Sequence, residues 1–418
     1  MKKLNKYAFS DLYDMTSGIS STKEQAGHGV PFASFSTVFN NYFLPDELPN
    51  LMDTSEKEQE TYSIKKGDIL VTRTSETVDE LAMSCVALKD YPKATYSGFV
   101  KRLRPKTTGI AYDKYMAFFL RSKYFRKVID CNTIMTLRAS FNEDIFSFLY
   151  LYLPEYEEQV KIGDMLYNID RKIQVNNSIN DNLQLMAKTI YDYWFTQFDF
   201  PDENGKPYCS SGGQMVWNEQ LNREIPAKWE HRQLKSVCKL YLGGTPDTAN
   251  KTYWGGDINW LNSGEISQFP VVSSELKISE EGLNNSPTKL MKQGTVVISI
   301  TGNIRASILG IDTCANQSVV GIEETKQFRH PYLYPYLCNQ LNYYTAISTG
   351  NCQKHINKGT LEEALLLIPP EAILERFYKI TLPIYTQIQA NALESKQIIE
   401  LRDWLLPMLM NGQATISE

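Results

Sequence analysis

The stretch of sequence that decides the fold is residues 162–194, IGDMLYNIDRKIQVNNSINDNLQLMAKTIYDYW. In it, mostly apolar residues recur at alternating steps of four and three. This is the heptad spacing of a helix that packs along one line, its seam, against another helix. The positions on this seam are Ile162, Leu166, Ile169, Ile173, Asn176, Asn180, Leu183, Ala187, Ile190 and Trp194.

A second seam with the same spacing follows near the end of the chain, at Ile373, Phe377, Ile380, Ile384, Gln387, Asn391, Glu394, Ile398, Leu401 and Leu405. Each seam is apolar at both ends and polar in the middle, so two antiparallel helices would align their polar middles. A buried polar layer fixes register at some expense of stability. The residues predicted to pair the helices are Ile169, Ile173, Asn176, Asn180, Leu183, Ile384, Gln387, Asn391 and Ile398. The alternative is that each helix packs its seam on its own globular domain.

The sequence preceding the first helix has a counterpart preceding the second. Residues 65–74 (KKGDILVTRT) correspond to residues 291–301 (MKQGTVVISIT), with Gly67 answering Gly294. Upstream, VPFASFS from Val30 answers INWLNSG from Ile258. Downstream, Asn142 and Pro154 answer Asn357 and Pro369. Conserved order with a drifting offset indicates duplication with loop changes.

Four parts follow from these patterns: a globular unit (residues 1–153), a helix (154–198), a linker with a second globular unit (199–368) and a second helix (369–411). Short apolar runs such as DILVTR and TVVISI alternate with helical patterns, so we expect mixed α/β (α+β) units in tandem pseudo-repeat. The expected connection is two long antiparallel coiled-coil helices, and the molecule should be pseudo-twofold.

Composition excludes several classes of protein. The chain has 418 residues, 42% hydrophobic and 22% charged, which is typical of a globular protein of two or three domains. The seven scattered cysteines include no CxxC pair, which favours reduced thiols, and four histidines give no zinc pattern. No 18-residue apolar run or signal peptide is present, so we expect a cytoplasmic protein without a membrane span.

The net charge of −5 conceals segregation within the first unit. Residues 46–80 carry ten acidic and four basic residues, whereas residues 84–138 carry twelve basic and three acidic ones. The second stretch is interleaved with tyrosines and is predicted to face phosphates; the alternative is a solvated basic face. Candidate DNA contacts in this unit are Arg73, Thr74, Ser97, Lys101, Arg102, Arg104 and Arg138.

The matching regions of the second unit are richer in amides, which can pair with adenine edges as Lys and Arg pair with guanine. Different residues on a duplicated frame would suit two unlike half-sites, although amide-rich loops are also ordinary turn chemistry. Candidate DNA contacts here are Thr301, Asn303, Arg305, Asn316, Gln317, Ser318, Gln353, Lys354, Asn357 and Lys358.

Enzyme signatures are missing from the sequence. No GxxxxGK, GxGxxG, HExxH or GxSxG motif occurs. Pro246, Asp247 and the later Glu275-Leu276-Lys277 form a loose nuclease-like pattern, but such patterns arise readily by chance and Asp247 lies in a TPDT turn. We therefore predict no catalytic residues and no metal site in this chain.

The chain resembles the specificity subunit of type I restriction-modification systems over nearly its whole length. The segments that carry the resemblance are IPAKWEHRQLKSVCKLYLGGTPDT from Ile225, YWGGDINWLNSGEI from Tyr253, LPEYEEQVKIGDMLYNIDRKI from Leu153, YDYWFTQFDF from Tyr191 and LRDWLLPMLMNGQ from Leu401. The first unit lacks the GxTP turn seen at Gly244, Thr245 and Pro246.

The resemblance implies a non-catalytic DNA-reading subunit whose two target-recognition domains each read half of a split site in double-stranded DNA. It implies two methyltransferase subunits, which supply S-adenosylmethionine and methylate adenine, and two motor-nuclease subunits; this chain itself would bind no cofactor. The alternative is a scaffold whose two globular modules bind proteins.

Overall fold

The structure is a computed structural model and describes residues 4–75, 80–132, 139–350, 354–414 and 416. The chain forms two compact units. The first comprises Met1–Ile173 with Ile398–Glu418, and the second comprises Gln174–Gln397. Each unit therefore includes its share of the two long helices.

The first unit is a mixed α/β domain. In chain order its elements are β1 (Asn5–Ala8), α1 (Phe9–Leu12), β2 (Tyr13–Ser17), β3 (Ala26–Ala33), α2 (Phe35–Asn40), β4 (Asn50–Met52), α3 (Glu56–Thr61), β5 (Ile69–Thr72), β6 (Thr74–Ser75), β7 (Ser84–Val86), β8 (Thr95–Tyr96), β9 (Val100–Pro105), α4 (Asp113–Phe119), α5 (Lys123–Asn132), β10 (Ala139–Ser140), α6 (Glu143–Phe148) and β11 (Tyr150–Leu153). The long helix α7 (Tyr156–Tyr191) follows and continues as a π-helical turn over Asp192–Thr196.

After an additional hairpin, the second unit repeats most elements of the first in the same order. Its elements are β12 (Met215–Asn218), β13 (Arg223–Pro226), β14 (Glu230–Gln233), α8 (Leu234–Val237), β15 (Leu240–Leu242), β16 (Trp254–Leu261), β17 (Leu276–Ile278), α9 (Glu280–Asn284), β18 (Val296–Ser299), β19 (Ala306–Ile308), β20 (Cys314–Ala315), β21 (Val319–Ile322), α10 (His330–Ile347), α11 (Lys358–Glu362), β22 (Leu365–Ile368) and the long helix α12 (Glu371–Met410). Lys251–Tyr253 and Ser263–Ser267 form 3-10 turns. Among the described residues of this unit, no strands correspond to β6 and β10, and one helix, α10, stands in place of α4 and α5.

The sheets confirm the predicted duplication strand by strand. The four-stranded antiparallel sheet β2-β9-β5-β7 of the first unit corresponds to β15-β21-β18-β19 of the second. The three-stranded sheet β4-β3-β8 corresponds to β17-β16-β20, with one antiparallel and one parallel pair in each. In each unit, an early strand pairs with the last one, β1 with β11 and β14 with β22.

The residues that revealed the repeat occupy equivalent positions for a physical reason. Gly67 and Gly294 precede β5 and β18 with φ of 86° and 87°, a left-handed conformation that glycine adopts without strain. Asn142 and Asn357 cap α6 and α11 by accepting hydrogen bonds from the backbone N–H of Ile145 and Thr360. Local capping and turn chemistry therefore explains why these side chains persist in both copies.

The core of each unit forms where sheet, helices and the local part of the helix pair meet. In the first unit, Phe118 and Phe119 of α4 pack in one cluster with Leu166 of α7 and Leu409 of α12. In the second unit, Trp194 after α7 packs in one cluster with Phe377 of α12. Each helix end is thus part of a domain core, which anchors it to that domain.

Candidate nucleic-acid interface

The helix pair places the predicted polar middle inside the second unit. Asn180 is 6% exposed and Asn391 is 7% exposed. Asn391 Nδ2 donates to Asn180 Oδ1 over 2.9 Å, Asn180 Nδ2 donates to the Ile388 carbonyl over 3.1 Å, and Gln387 Nε2 donates to Asn391 Oδ1 over 2.7 Å. Asn180 is therefore bonded to α12 through both its amide oxygen and its amide nitrogen.

A second polar layer lies one turn away on α7. Asn176 is 2% exposed, and its Nδ2 donates to Glu394 Oε2 over 2.8 Å and to Ser395 Oγ over 3.2 Å. Ile173 is buried, whereas Ile169 and Leu183 are half-buried. These residues therefore follow the predicted seam of the first helix.

The seam predicted for the second helix is partly wrong. Ile384 and Asn391 are buried and Ile398 is half-buried, but Ile380 is 46% exposed and Leu401 is 47% exposed. Gln387 is exposed and reaches the pair only through its bond to Asn391. The buried line contains Leu374, Phe377, Thr381, Ile384, Ile388, Asn391 and Ser395. Every second position is displaced by one residue, because sequence spacing alone does not show which of two adjacent residues faces the partner.

Most cations of the basic stretch in the first unit contact acceptors of that unit. Eight of its twelve cations contact acceptors within the same unit: Lys89, Lys101, Arg102, Arg104, Lys106, Lys114, Arg121 and Arg126. Lys89 and Lys106 of this set remain exposed, as do Lys93 and Lys127 outside it, so part of the stretch still faces solvent. The buried cations connect strands, helices and loops of one domain, and the phosphate-facing surface stays a prediction for the exposed ones.

Three predicted DNA contacts on β9 belong to this set, and contrary to the prediction their side chains bind acceptors of the same domain. The Lys101 side chain is 4% exposed, and its Nζ lies 2.7 Å from Glu143 Oε1. Arg102 is 6% exposed and donates to the Ser63 carbonyl over 2.6 Å. Arg104 forms a bidentate pair with buried Asp68 through Nε at 2.8 Å and Nη2 at 2.6 Å, and this hydrogen bonding raises the pKa of Arg104. The cause is the interior position of β9, which lies between β2 and β5.

Arg121 holds the start of the same sheet. Its guanidinium donates to the carbonyls of Ser84, Val38, Phe39 and Asn41 at 2.6 to 2.9 Å. Burial lowers the pKa of Arg121. This cation therefore satisfies buried backbone acceptors rather than an external anion.

Four loops of the second unit meet at one end of its four-stranded sheet, and we call this surface the loop edge. It comprises residues 243–247, 299–305, 316–318 and 354–357. The Ile300 N–H donates to the Ser318 carbonyl over 2.8 Å, and the Gly302 N–H donates to the Lys354 carbonyl over 2.8 Å. Thr245 Oγ1 donates to Gln317 Oε1 over 2.6 Å. Backbone bonds thus bring together predicted contacts that lie far apart in sequence.

The candidate side chains at this loop edge differ in availability. Asn303, Arg305, Gln317 and Lys354 are exposed. Thr301 is half-buried, with its Oγ1 3.2 Å from His355 Nδ1. The others serve local structure as well: Asn316 Oδ1 accepts from the Ser318 N–H, Asn357 caps α11, and Lys358 forms an ion pair with Glu362 at 2.8 Å. Gln353 and Arg138 lie outside the described residues.

The first unit has an equivalent loop edge, comprising residues 18–22, 73–75, 97–99 and 139–142. The Arg73 N–H donates to the Phe99 carbonyl and the Phe141 N–H to the Arg73 carbonyl, each over 2.8 Å. Arg73 is exposed, Thr74 is half-buried and Ser97 is 8% exposed. Phe99, which the sequence analysis missed, is 63% exposed there. The sequence did offer one indication of its importance: in the repeat, Phe99 corresponds to Ser318, which is a predicted contact of the second unit.

Two of the residues considered for catalysis lie in local structure. Asp247 Oδ1 accepts from the Ala249 N–H over 2.9 Å, and Lys277 lies in β17 opposite Asn259 of β16. Within the described ranges, no group of His, Cys, Asp and Glu side chains could hold a metal ion. Burial raises the pKa of Cys85 to about 12, so this thiol stays protonated.

A cavity of about 530 Å³ lies beside the π-helical turn of the second unit. Its walls include Tyr332 and Tyr336, whose hydroxyls donate to the carbonyls of Leu367 and Leu365. Arg223 also lines it and donates to the Thr196 carbonyl over 2.8 Å. These polar groups hold the strand and helix ends together.

Across the described part of the chain, no helix has the length and apolar character needed to cross a membrane.

The fold defines a class of protein: a tandem-repeat protein in which one domain frame occurs twice, each time packed with part of a helix pair. The family model of the type I restriction modification DNA specificity domain matches residues 2–185 and 226–401. The chain belongs to this family of type I restriction-modification specificity subunits.

Two relatives are similar over nearly the whole chain. The type I restriction enzyme HindI specificity subunit of Haemophilus influenzae is 23% identical, covering 92% of this chain and 94% of the relative. The MjaIX specificity subunit of Methanocaldococcus jannaschii is 23% identical, covering 95% and 89%. The crystal structure of the type I restriction-modification system S subunit from M. genitalium matches with a TM-score of 0.60 and 14% identity, covering 98% of this chain and 96% of that one. This last likeness concerns the fold.

Proposed function

We propose that this protein reads a bipartite DNA site for a type I restriction-modification complex, with one half-site contacted by each loop edge. The observation that carries the proposal is the repetition of one backbone frame with different exposed side chains. On its loop edge the first unit exposes Arg73 and Phe99, whereas the second unit exposes Gln317 and Arg305 on the corresponding loops. A duplicated frame of this kind suits two unlike half-sites, because base identity is read by side-chain chemistry at the groove.

The helix pair sets the gap between the half-sites in this proposal. Its buried polar layers, Asn180 with Asn391 and Asn176 with Glu394, fix the alignment of α7 and α12. A helix rises about 1.5 Å per residue, so helix length converts directly into distance along DNA.

The chemistry is assigned to partner subunits. Two methyltransferase subunits bind S-adenosylmethionine and methylate adenine after flipping it from the duplex, and two motor-nuclease subunits complete the restriction complex. The chain described here is the non-catalytic subunit and binds no cofactor of its own. We expect the complex to work in the cytoplasm.

Duplex binding by the complex with its methyltransferase tests DNA reading. Arg305→Ala should weaken binding and reduce the salt dependence of the affinity, and Gln317→Ala should weaken discrimination between sites with little change in salt dependence. Exposed Lys326, outside the loop edge, provides the control Lys326→Ala. A protein-binding scaffold, the second candidate, would show no salt-dependent affinity for duplex DNA in any of these proteins.

Shortening the helix pair tests the gap. Removing four residues from each helix near Asn176 and Gln387 shortens it by about 6 Å, close to two base-pair steps. Removing seven from each preserves the heptad phase and shortens it by about 10 Å, close to three steps. Mapping of modified adenines should show correspondingly narrower sites. Methylation at the original gap by the seven-residue deletion would refute the spacer role.

A further inference from the structure

The two loop edges contain one turn whose backbone is the same in both units. In the first unit it is Ser97-Gly98-Phe99, and in the second it is Asn316-Gln317-Ser318. The Val100 N–H donates to the Ser97 carbonyl over 2.9 Å, and the Val319 N–H donates to the Asn316 carbonyl over 3.1 Å. Each turn lies immediately before one of the two inner strands of its four-stranded sheet, β9 or β21.

The first side chain of each turn holds the third residue in place. Ser97 Oγ accepts from the Phe99 N–H over 3.2 Å, and Asn316 Oδ1 accepts from the Ser318 N–H over 3.0 Å. Hydroxyl and carboxamide groups perform the same local capping. The third residue is also fixed through its carbonyl, which accepts from Arg73 in the first unit and from Ile300 in the second. The backbone of Phe99 is therefore fixed by hydrogen bonds, while its ring is exposed to solvent.

The middle residue explains why the two turns carry different chemistry. In the second unit, Gln317 is exposed and its Oε1 accepts from Thr245. In the first unit this place is Gly98, and a Cβ there would lie 2.9 Å from the Ile19 carbonyl oxygen. A reading amide cannot be accommodated at Gly98 without a backbone shift, so the exposed group of this turn is the Phe99 ring.

We propose that Phe99 is a specificity-determining residue that contacts the C5-methyl group of a thymine in the half-site read by the first unit. This inference rests on the proposed function. A single exposed apolar side chain needs no explanation by itself. Phe99, however, is held at the place where the second unit carries Ser318, next to the place of Gln317, and it lies beside exposed Arg73. In the major groove only thymine presents a methyl group, and apolar side chains contact it.

The experiment uses this protein assembled with its methyltransferase partner. Mapping of modified adenines first gives both half-sites; duplexes are then made with each thymine replaced in turn by deoxyuridine, which removes only the methyl group. Affinity should fall about fourfold at one thymine of one half-site, the loss expected for one buried methyl group. Phe99→Ser should weaken binding to the thymine duplex by at least that factor and make the complex indifferent to the deoxyuridine substitution.

The control is Phe148→Ser, since Phe148 is 74% exposed in the same unit but lies at the end of α6, outside the loop edge. This variant should keep the thymine preference, and thermal unfolding should show both variants folded. A wild-type complex that prefers its site but ignores every deoxyuridine, or a Phe99→Ser complex that still loses affinity on substitution, would overturn the contact alone. A wild-type complex without site preference would overturn the proposed function as well.

Discussion

In the polar layer of the helix pair, replacing one asparagine should destabilise the protein more than replacing both. Asn180 and Asn391 are buried and satisfy each other, and further bonds go to the Ile388 carbonyl and from Gln387. Asn391→Leu leaves Asn180 Oδ1 buried without its donor, and Asn180→Leu leaves Asn391 Nδ2 without its acceptor. Each single change should destabilise the local helix pair by about 1 to 3 kcal/mol.

The double variant Asn180→Leu with Asn391→Leu removes both polar partners. Replacing a buried polar pair by apolar groups of similar shape is close to neutral or stabilising. The coupling energy between the two sites should therefore be on the order of 2 kcal/mol or more, of the sign that favours the double variant. Asn182→Leu is the matched control, because Asn182 is exposed on the same helix and bonds only to the Ser178 carbonyl.

Native-state hydrogen exchange at the amides of α7 measures this opening free energy without assuming that the whole chain unfolds in one step. To change the gap between the half-sites, the second polar layer must be removed as well, by adding Asn176→Leu and Ser395→Leu to the double variant. This quadruple variant should then methylate sites whose half-sites are separated by more than one gap length, because an apolar seam specifies helix register weakly. Additive destabilisation by the two asparagine substitutions, or a single unchanged gap in the quadruple variant, would refute this account.

Two further predictions concern the inward-directed cations of the first unit. Arg104→Met leaves the Asp68 carboxylate buried without its cation and should destabilise this unit by about 3 to 5 kcal/mol in urea unfolding, whereas exposed Lys123→Met should change it little. The hydrogen bond from Lys101 lowers the pKa of Glu143, so the stabilisation by this pair is present above about pH 4.5 and is lost as pH falls through the lowered folded-state pKa. Unfolding measured across this pH range should lose that acid-dependent component in Glu143→Gln; an unchanged pH profile would contradict the assignment.

For the loop edges, the sequence predicted the backbone frame but not every exposed side chain. The repeat and the heptads predicted the duplicated frame, and backbone bonds such as Gly302 to Lys354 bring the candidate loops of the second unit together. Gln317 and Arg305 are exposed as their polarity suggests. Phe99 was not predicted because an isolated Phe in a sequence gives no sign of exposure; the register of β9 with β5 places it at the edge.

What the sequence determined by itself was local and periodic: the two long helices and the repeated positions, among them Asn142 and Asn357, which the structure shows to cap α6 and α11. These features depend on contacts between residues close in the chain, so spacing alone reveals them. Only the tertiary structure decided where charge goes. Lys101 and Arg104 receive partners 42 and 36 residues away in sequence, Glu143 and Asp68. Whether a cation faces solvent or a buried carboxylate depends on which strands become neighbours, and a one-residue change of register reverses the side.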